Sequence, residues 1–208
     1  MYIFIGIFVL LVALVVGGYF AFANTLGRLR LAPITGAGYT AGGDLTLATN
    51  NGIWQLEDTS WRQVRSAEDN YIGYSTTQNG FYVSGFGEDD TPLGLQRSID
   101  SGNSISTVRF AEDRAFAQLS AGYQNTNVLY MHTTDVNADF DFGLHYSLDG
   151  GITWQRSIMA DAPATLFDIA VHPTDEAIVA IATGDEGAFL SRDYGDPFVR
   201  ISNAPTVS

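Results

Sequence analysis

The chain has 208 residues, 46% of them hydrophobic and 16% charged, a balance too apolar for a disordered tail and sufficient for one sizeable core. Ten arginines and no lysine face 23 acidic side chains, and the resulting net charge of −13 repels phosphate backbones and excludes nucleic acid as a partner. Cysteine is absent, which removes disulfides, thiol catalysis and Cys-ligated zinc and leaves the redox compartment open.

The first element is a membrane anchor at residues 1–23. Residues 2–23 carry no charge and no strongly polar group. At about 1.5 Å of rise per residue, such a helix crosses a hydrocarbon core of about 30 Å. Ala21-Phe22-Ala23 has the small-x-small form of a signal-peptide cleavage site. Two features favour an uncleaved anchor: no basic segment precedes the run, and the run exceeds the roughly 7–15 residues of a signal h-region. Arg28 and Arg30 follow it and pull the C-terminal side toward the cytoplasm, a bias of only two charges. Residues 24–33 then form a linker into a Gly-rich stretch.

Beyond the linker no long apolar stripe of helical period occurs. Short runs of β-branched and aromatic residues recur instead, punctuated by Gly, Asp and Asn, so the chain reads as strands and has to be searched for a repeat. The clearest unit is the pattern S-x-D-x-G-x-T-W, carried by Ser147, Asp149, Gly151, Thr153 and Trp154 after a strand that opens on Gly143. Ser98, Asp100 and Gly102 repeat it after Gly94, with Ser104 in the hydroxyl position and Ile105 for the Trp. Ser191, Asp193 and Gly195 repeat it after Gly187, with Phe198 for the Trp. Asp58 and Trp61 after Gly52 are a fourth, degenerate copy. The four aspartates stand 42, 49 and 44 residues apart. A period of about 40–50 residues with several strands per unit predicts propeller blades.

This pattern resembles the Asp box, or BNR repeat, of bacterial sialidases, sortilin-type receptors and photosystem II assembly factors. Residues 81–98 are similar to bacterial exported BNR-repeat proteins of glycosyl hydrolase-like type, and residues 169–175 fit the first strand and turn of a blade. The resemblance covers residues 34–208. It implies an all-β fold, an incomplete or small propeller of about four four-stranded blades behind one N-terminal transmembrane helix. It says little of function, because such propellers do many jobs.

The expected blades occupy about 34–64, 70–110, 115–158 and 166–202. Strand B is expected at 45–49, 81–85, 128–133 and 178–183, and strand C at 52–56 in blade 1 and 95–99 in blade 2. Pro205 would start a fifth blade. Family propellers carry six or more, so four leave the ring short, and the chain reads as truncated, divergent or completed by a partner. Within each box, the Ser and Asp side chains are expected to bond the amides of the loop joining strands C and D. The glycines supply positive φ and the Trp fills the space between blades. The box aspartates are therefore structural, not catalytic.

The boxes place the C–D turns on one face, leaving the B–C loops on the other. Glu88, Asp89 and Asp90 lie in one of these loops, Asp135, Asn137, Asp139 and Asp141 in another, and Asp185 and Glu186 in a third. In sialidases this is the active face, and these nine residues form the candidate binding face. The alternating oxygens of residues 135–141 suit calcium, but Phe140 stands where an EF-hand turn needs glycine and no Glu closes the loop. A solvated or partner-contacting acidic loop is the better reading, and no cofactor is assigned. His132, His145 and His172 do not form a ligand-spaced set. The Phe-Arg-Ile-Pro signature of sialidases is absent and the arginines lie mostly beside boxes, so no catalytic residue is assigned. Adjacent Glu88 and Asp89 point apart in extended chain and make a poor acid pair.

The expected function is a non-catalytic, membrane-tethered scaffold, assembly or stabilising subunit of an envelope membrane complex, photosynthetic or respiratory by the assembly-factor resemblance. Its expected partners are integral membrane subunits, with the propeller on the extracytoplasmic side. The alternative is an exported glycan-binding or glycoside-hydrolase-like protein.

Overall fold

The computed structural model describes residues 33–65, 68–134, 140–157, 166–184 and 186–202. The apolar run 2–23, most of the linker, Asp135, Asn137, Asp139, Asp185 and Pro205 lie outside them. The described residues form sixteen β-strands and no helix.

Each group of four consecutive strands is one antiparallel meander, a blade. Blade 1 consists of β1 (Ile34–Tyr39), β2 (Leu45–Thr49), β3 (Gly52–Glu57) and β4 (Ser60–Arg65). Blade 2 has β5 (Asn70–Thr77), β6 (Gly80–Phe86), β7 (Pro92–Ser98) and β8 (Ser106–Arg109). Blade 3 has β9 (Leu119–Ala121), β10 (Leu129–Thr133), β11 (Gly143–Ser147) and β12 (Gln155–Arg156). Blade 4 has β13 (Leu166–Val171), β14 (Val179–Thr183), β15 (Gly187–Ser191) and β16 (Val199–Ser202). The period read from the aspartates thus corresponds to real sheets. Four strands differ from expectation by a single residue at one or both ends, and β7 differs most: it starts at Pro92, not at residue 95, and ends at Ser98. Proline is tolerated at a strand's first residue, and the strand stops where Ser98 turns inward to bond its own loop.

The first strands of successive blades stand side by side, β1 against β5, β5 against β9 and β9 against β13. Among the described residues no strand of blade 4 meets a strand of blade 1. The four blades therefore form an open arc. Three apolar seams hold it together. Ala48 and Ile53 of blade 1 pack on Tyr74, Phe81 and Val83 of blade 2. Tyr82 and Leu95 of blade 2 pack on Leu129 and Met131 of blade 3. Val128, Tyr130 and Leu144 of blade 3 pack on Ile169, Val179 and Ile181 of blade 4. Strand side chains alternate between the two faces of a sheet. A strand between two neighbours is thus buried throughout, as all five residues of β10 are, whereas β14 alternates buried and half-buried positions.

A second device recurs at the start of strand C. Gly52, Gly94, Gly143 and Gly187 all take positive φ, a conformation that costs glycine little. A hydroxyl at the end of strand B bonds each of their carbonyls: Thr49 at 2.8 Å, Ser84 at 2.7 Å, Thr133 at 3.4 Å and Thr183 at 2.8 Å.

Candidate functional site

The S-x-D-x-G turns are built by local hydrogen bonds. Ser147 Oγ accepts from the Gly151 amide at 2.9 Å and donates to Asp149 at 2.8 Å. Asp149 then accepts from the Thr153 amide at 2.8 Å and from the Thr153 hydroxyl at 2.6 Å. Those donors pull its carboxyl below the ordinary 3.8, to about 2. Ser98 and Asp100 repeat the arrangement, with Gly102 and Ser104 as donors at 2.8 Å. In blade 4 Ser191 accepts from Gly195 at 3.0 Å, and Pro197 replaces the hydroxyl donor. Trp154 donates from Nε1 to Gly151 at 2.9 Å and packs against the blade 2–3 seam. These side chains serve turn geometry.

The opposite face carries the B–C loops. Glu88, Asp89 and Asp90 form the tight turn between β6 and β7. There Asp89 accepts from the Thr91 amide at 3.1 Å, and these bonds to Thr91 lower its pKa. Glu186 pairs with Arg200 at 3.0 Å on the surface. Asp141 is exposed, and its carbonyl receives the Thr133 hydroxyl at 2.7 Å. No group of three His, Asp or Glu side chains that could hold a metal occurs among the described residues.

What the fold brings together on this face is a different set. Strand A of blade 2 begins there, because Asn70 pairs with Phe86 at the end of strand B. A bulge between Tyr71 and Gly73 inserts Ile72 and re-aims its side chain. The connection from blade 2 to blade 3 crosses beside it, and strand B of blade 3 ends next to both. A cavity of about 490 Å³ opens between them, lined by Ile72, Asp113, Arg114, Phe116, Gln118 and His132 among others. Arg114 bonds Asp113 at 2.8 Å, and its guanidinium lies 5.6 Å and 5.3 Å from the ring centres of Phe110 and Phe140. Cation–π stacking of this kind holds a charged group without spending its hydrogen bonds. Gln118 spans to blade 4, donating from Nε2 to the Leu166 carbonyl at 3.0 Å.

His132 is 7% exposed and its Nδ1 has no hydrogen-bond partner. Burial lowers its pKa, and nearby His145 lowers it further. Burial likewise lowers that of His145. Both are neutral in the native state at pH 7. The unfolded chain binds their protons near 6.5, so stability is full above that value and falls as the pH drops through it. Thermal melts between about pH 8 and pH 5 are expected to show this loss, reduced in a His132→Gln variant; a midpoint flat over that range refutes it.

Reading the sequence singled out the acidic loops and missed Arg114, Phe116 and Gln118. The available signal was weak: among the described residues, Arg114 is the arginine that sits neither on a strand nor beside an S-x-D-x-G turn.

No family model matches the chain, and no curated protein matches it in sequence. Solved β-propellers match its fold. A GH74 enzyme from Niastella koreensis is 16% identical with a TM-score of 0.63, over 83% of this chain and 30% of its own. YCF48 from Cyanidioschyzon merolae is 12% identical with a TM-score of 0.57, over 86% of this chain and 59% of its own. YCF48 bound to a D1 peptide is 16% identical with a TM-score of 0.53, over 87% of this chain and 56% of its own. The chain spans less than two thirds of each, and identities this low establish the propeller fold alone.

Proposed function

We propose that this chain is a non-catalytic scaffold or assembly subunit, tethered to the membrane by residues 1–23, with its blades on the extracytoplasmic side against an envelope membrane complex. The observation that carries this reading is the content of the cavity on the B–C face. Asp113 is the one carboxylate among its described lining residues and is bound to Arg114, whereas glycoside hydrolysis takes two carboxylates flanking the scissile bond. A stacked arginine, a glutamine amide and apolar walls suit recognition of a polypeptide segment. The fold is shared with YCF48, for which a complex with a D1 peptide exists, and this supports a photosynthetic or comparable membrane assembly as the setting. The second reading, an exported glycan-binding or glycoside-hydrolase-like protein, is favoured by the same fold in GH74 enzymes.

Membrane placement is tested by protease on intact spheroplasts, where digestion of the blades is expected; survival until lysis puts them in the cytoplasm. The functional test is purification of the full chain in mild detergent. Integral membrane subunits are expected to co-purify, and Arg114→Ala is expected to lose most of them while leaving the fold intact. Turnover of a glycan panel by the parent chain refutes the scaffold and establishes the alternative.

A further inference from the structure

The chain enters the blades on the face that carries the cavity. The Pro33 carbonyl accepts from the Asn50 amide at 3.4 Å, in the B–C turn of blade 1. Two residues on, the Thr35 hydroxyl donates to the Tyr71 carbonyl at 2.7 Å, and the residue after Tyr71, Ile72, lines the cavity. Residues 24–33 lead to this point from the apolar run 2–23. Ten residues reach at most about 33–36 Å, and a flexible chain of that length spans about 16–19 Å on average.

The face of the S-x-D-x-G turns is the rival for contact with a bilayer, because it exposes Tyr39, Ile99 and Ile152. The six residues of β1 separate the two faces, a distance of about 20 Å at strand rise. Lipid contact through Tyr39, Ile99 and Ile152 would take residues 24–33 the whole height of blade 1, past their average span, before they met the bilayer. The cavity face needs no such extension.

Charge selects what the cavity face can meet. Glu88, Asp89, Asp90, Glu112, Asp113 and Asp141 are all exposed on it. The Glu112 amide donates to the Pro92 carbonyl at 2.8 Å, which fixes the connection into blade 3 beside the acidic turn of blade 2. The arginine of that connection, Arg114, is bound to Asp113. A rim of this sign repels anionic lipid headgroups and attracts a basic polypeptide. Inside the rim, Ile72 and Phe116 supply apolar wall. The buried His132 in the same wall keeps an Nδ1 without a partner, a polar group still to be satisfied.

Given the tether proposed above, on which this rests, we infer that the cavity face is the membrane-proximal face and receives a positively charged segment of an integral membrane subunit where that segment leaves the bilayer. The acidic rim holds the basic side chains of the segment, and the cavity takes an apolar side chain between Ile72 and Phe116. The short linker keeps the cavity within reach of such a segment and holds Tyr39, Ile99 and Ile152 away from the lipid.

The chain has no cysteine, so Glu88→Cys and Ile99→Cys each place one fluorophore, at opposite ends of blade 2. In the full chain reconstituted into phosphatidylcholine vesicles, a nitroxide on the lipid headgroups is expected to quench the label at 88 more than the label at 99. Equal or reversed quenching overturns the inference. So does quenching at 88 by an acyl-chain nitroxide as strong as by the headgroup one, which puts the face on lipid itself. A chain that alkaline carbonate strips from the vesicles overturns the tether and the inference with it, whereas a retained chain with the wrong face down overturns the inference alone. The charge of the partner is tested with a lysine–alanine peptide and its glutamate–alanine counterpart, on the full chain in neutral detergent. The lysine peptide is expected to bind, about fivefold more weakly in Glu88→Lys. Binding is expected to be unchanged in Asp58→Lys, an equal change of charge on the opposite face. Equal weakening in the two variants, or preference for the glutamate peptide, overturns the inference. Tighter binding in Arg28→Ser/Arg30→Ser assigns the face to residues 24–33 of the chain itself and overturns it as well.

Discussion

Leu129→Ala is expected to reduce the unfolding free energy by about 2–5 kcal/mol, which at this chain length lowers the thermal midpoint by roughly 4–20 °C. Leu129 is fully buried on strand B of blade 3, where it joins Tyr82 and Leu95 of blade 2 in one core. Its side chain also lies under the S-x-D-x-G turn, since a Cβ on Gly151 would stand 3.2 Å from it. The loss depends on how far the surroundings collapse into the space left behind. Here they are pinned. The Tyr82 hydroxyl donates to the Thr126 carbonyl at 2.9 Å, Arg97 donates to the Thr126 hydroxyl at 2.7 Å, and the Gly151 backbone is fixed by Ser147. The upper half of the range is therefore expected. Leu148, 46% exposed within the same turn, provides the contrast, and its truncation is expected to change stability by no more than about 0.5 kcal/mol. Denaturant unfolding of the two variants decides the matter. Equal losses would show that the seams between blades do not carry the stability of the arc.

The blades were legible in the sequence because their most distinctive turn is a local object. Ser147, Asp149, Gly151 and Thr153 bond one another within seven residues, so the pattern survives in the sequence whatever packs around it. The starting glycines of strand C were legible for the same reason. The sidedness of each sheet was not. Ala180 and Ile181 are adjacent apolar residues in β14, and only the pairing of that strand with its neighbours tells which one meets blade 3. The early start of β7 escaped notice because Pro92 reads as a breaker until its place at the end of a ladder is known.

The candidate site was less legible, again for a physical reason. Charge is visible in a sequence, so the acidic loops stood out, although Asp89 proves to be a turn-former and Glu186 a surface ion pair. The cavity takes its walls from strand A of blade 2, the crossing connection and the end of strand B of blade 3. These segments have no fixed spacing. Arg114 acquires meaning only when Phe110, just after β8 of blade 2, and Phe140, ahead of β11 of blade 3, come together around it.

Gly73→Ala is expected to be the most damaging single-carbon addition in the blade 2–3 seam, costing about 1–3 kcal/mol or more through overpacking. A Cβ there would fall on the carbonyl oxygen of Phe116, with the Phe116 carbonyl carbon at 3.2 Å and the Ala117 oxygen at 3.5 Å. The obstacle is backbone, which has no rotamer to escape through. It is also anchored: the Phe116 amide donates to Ser84 at 2.9 Å, and its ring packs edge-on against Phe110 and Phe140. Replacing glycine by alanine ordinarily gains about 0.4–1 kcal/mol from the unfolded chain, and Gly73 is not among the positive-φ glycines. The steric term exceeds that gain, so the net sign is destabilising. Because Phe116 also lines the cavity, the displaced connection carries Arg114 and Gln118 with it, and capture of membrane subunits is expected to fall together with stability. Gly42→Ala isolates the conformational part, since a Cβ there meets only ordinary contacts at 3.6 Å, and it is expected to be neutral or slightly stabilising. Thermal melts and capture assays on both variants give the comparison. A Gly73→Ala protein as stable as the parent would mean that strand A of blade 2 does not lie against the connection into blade 3.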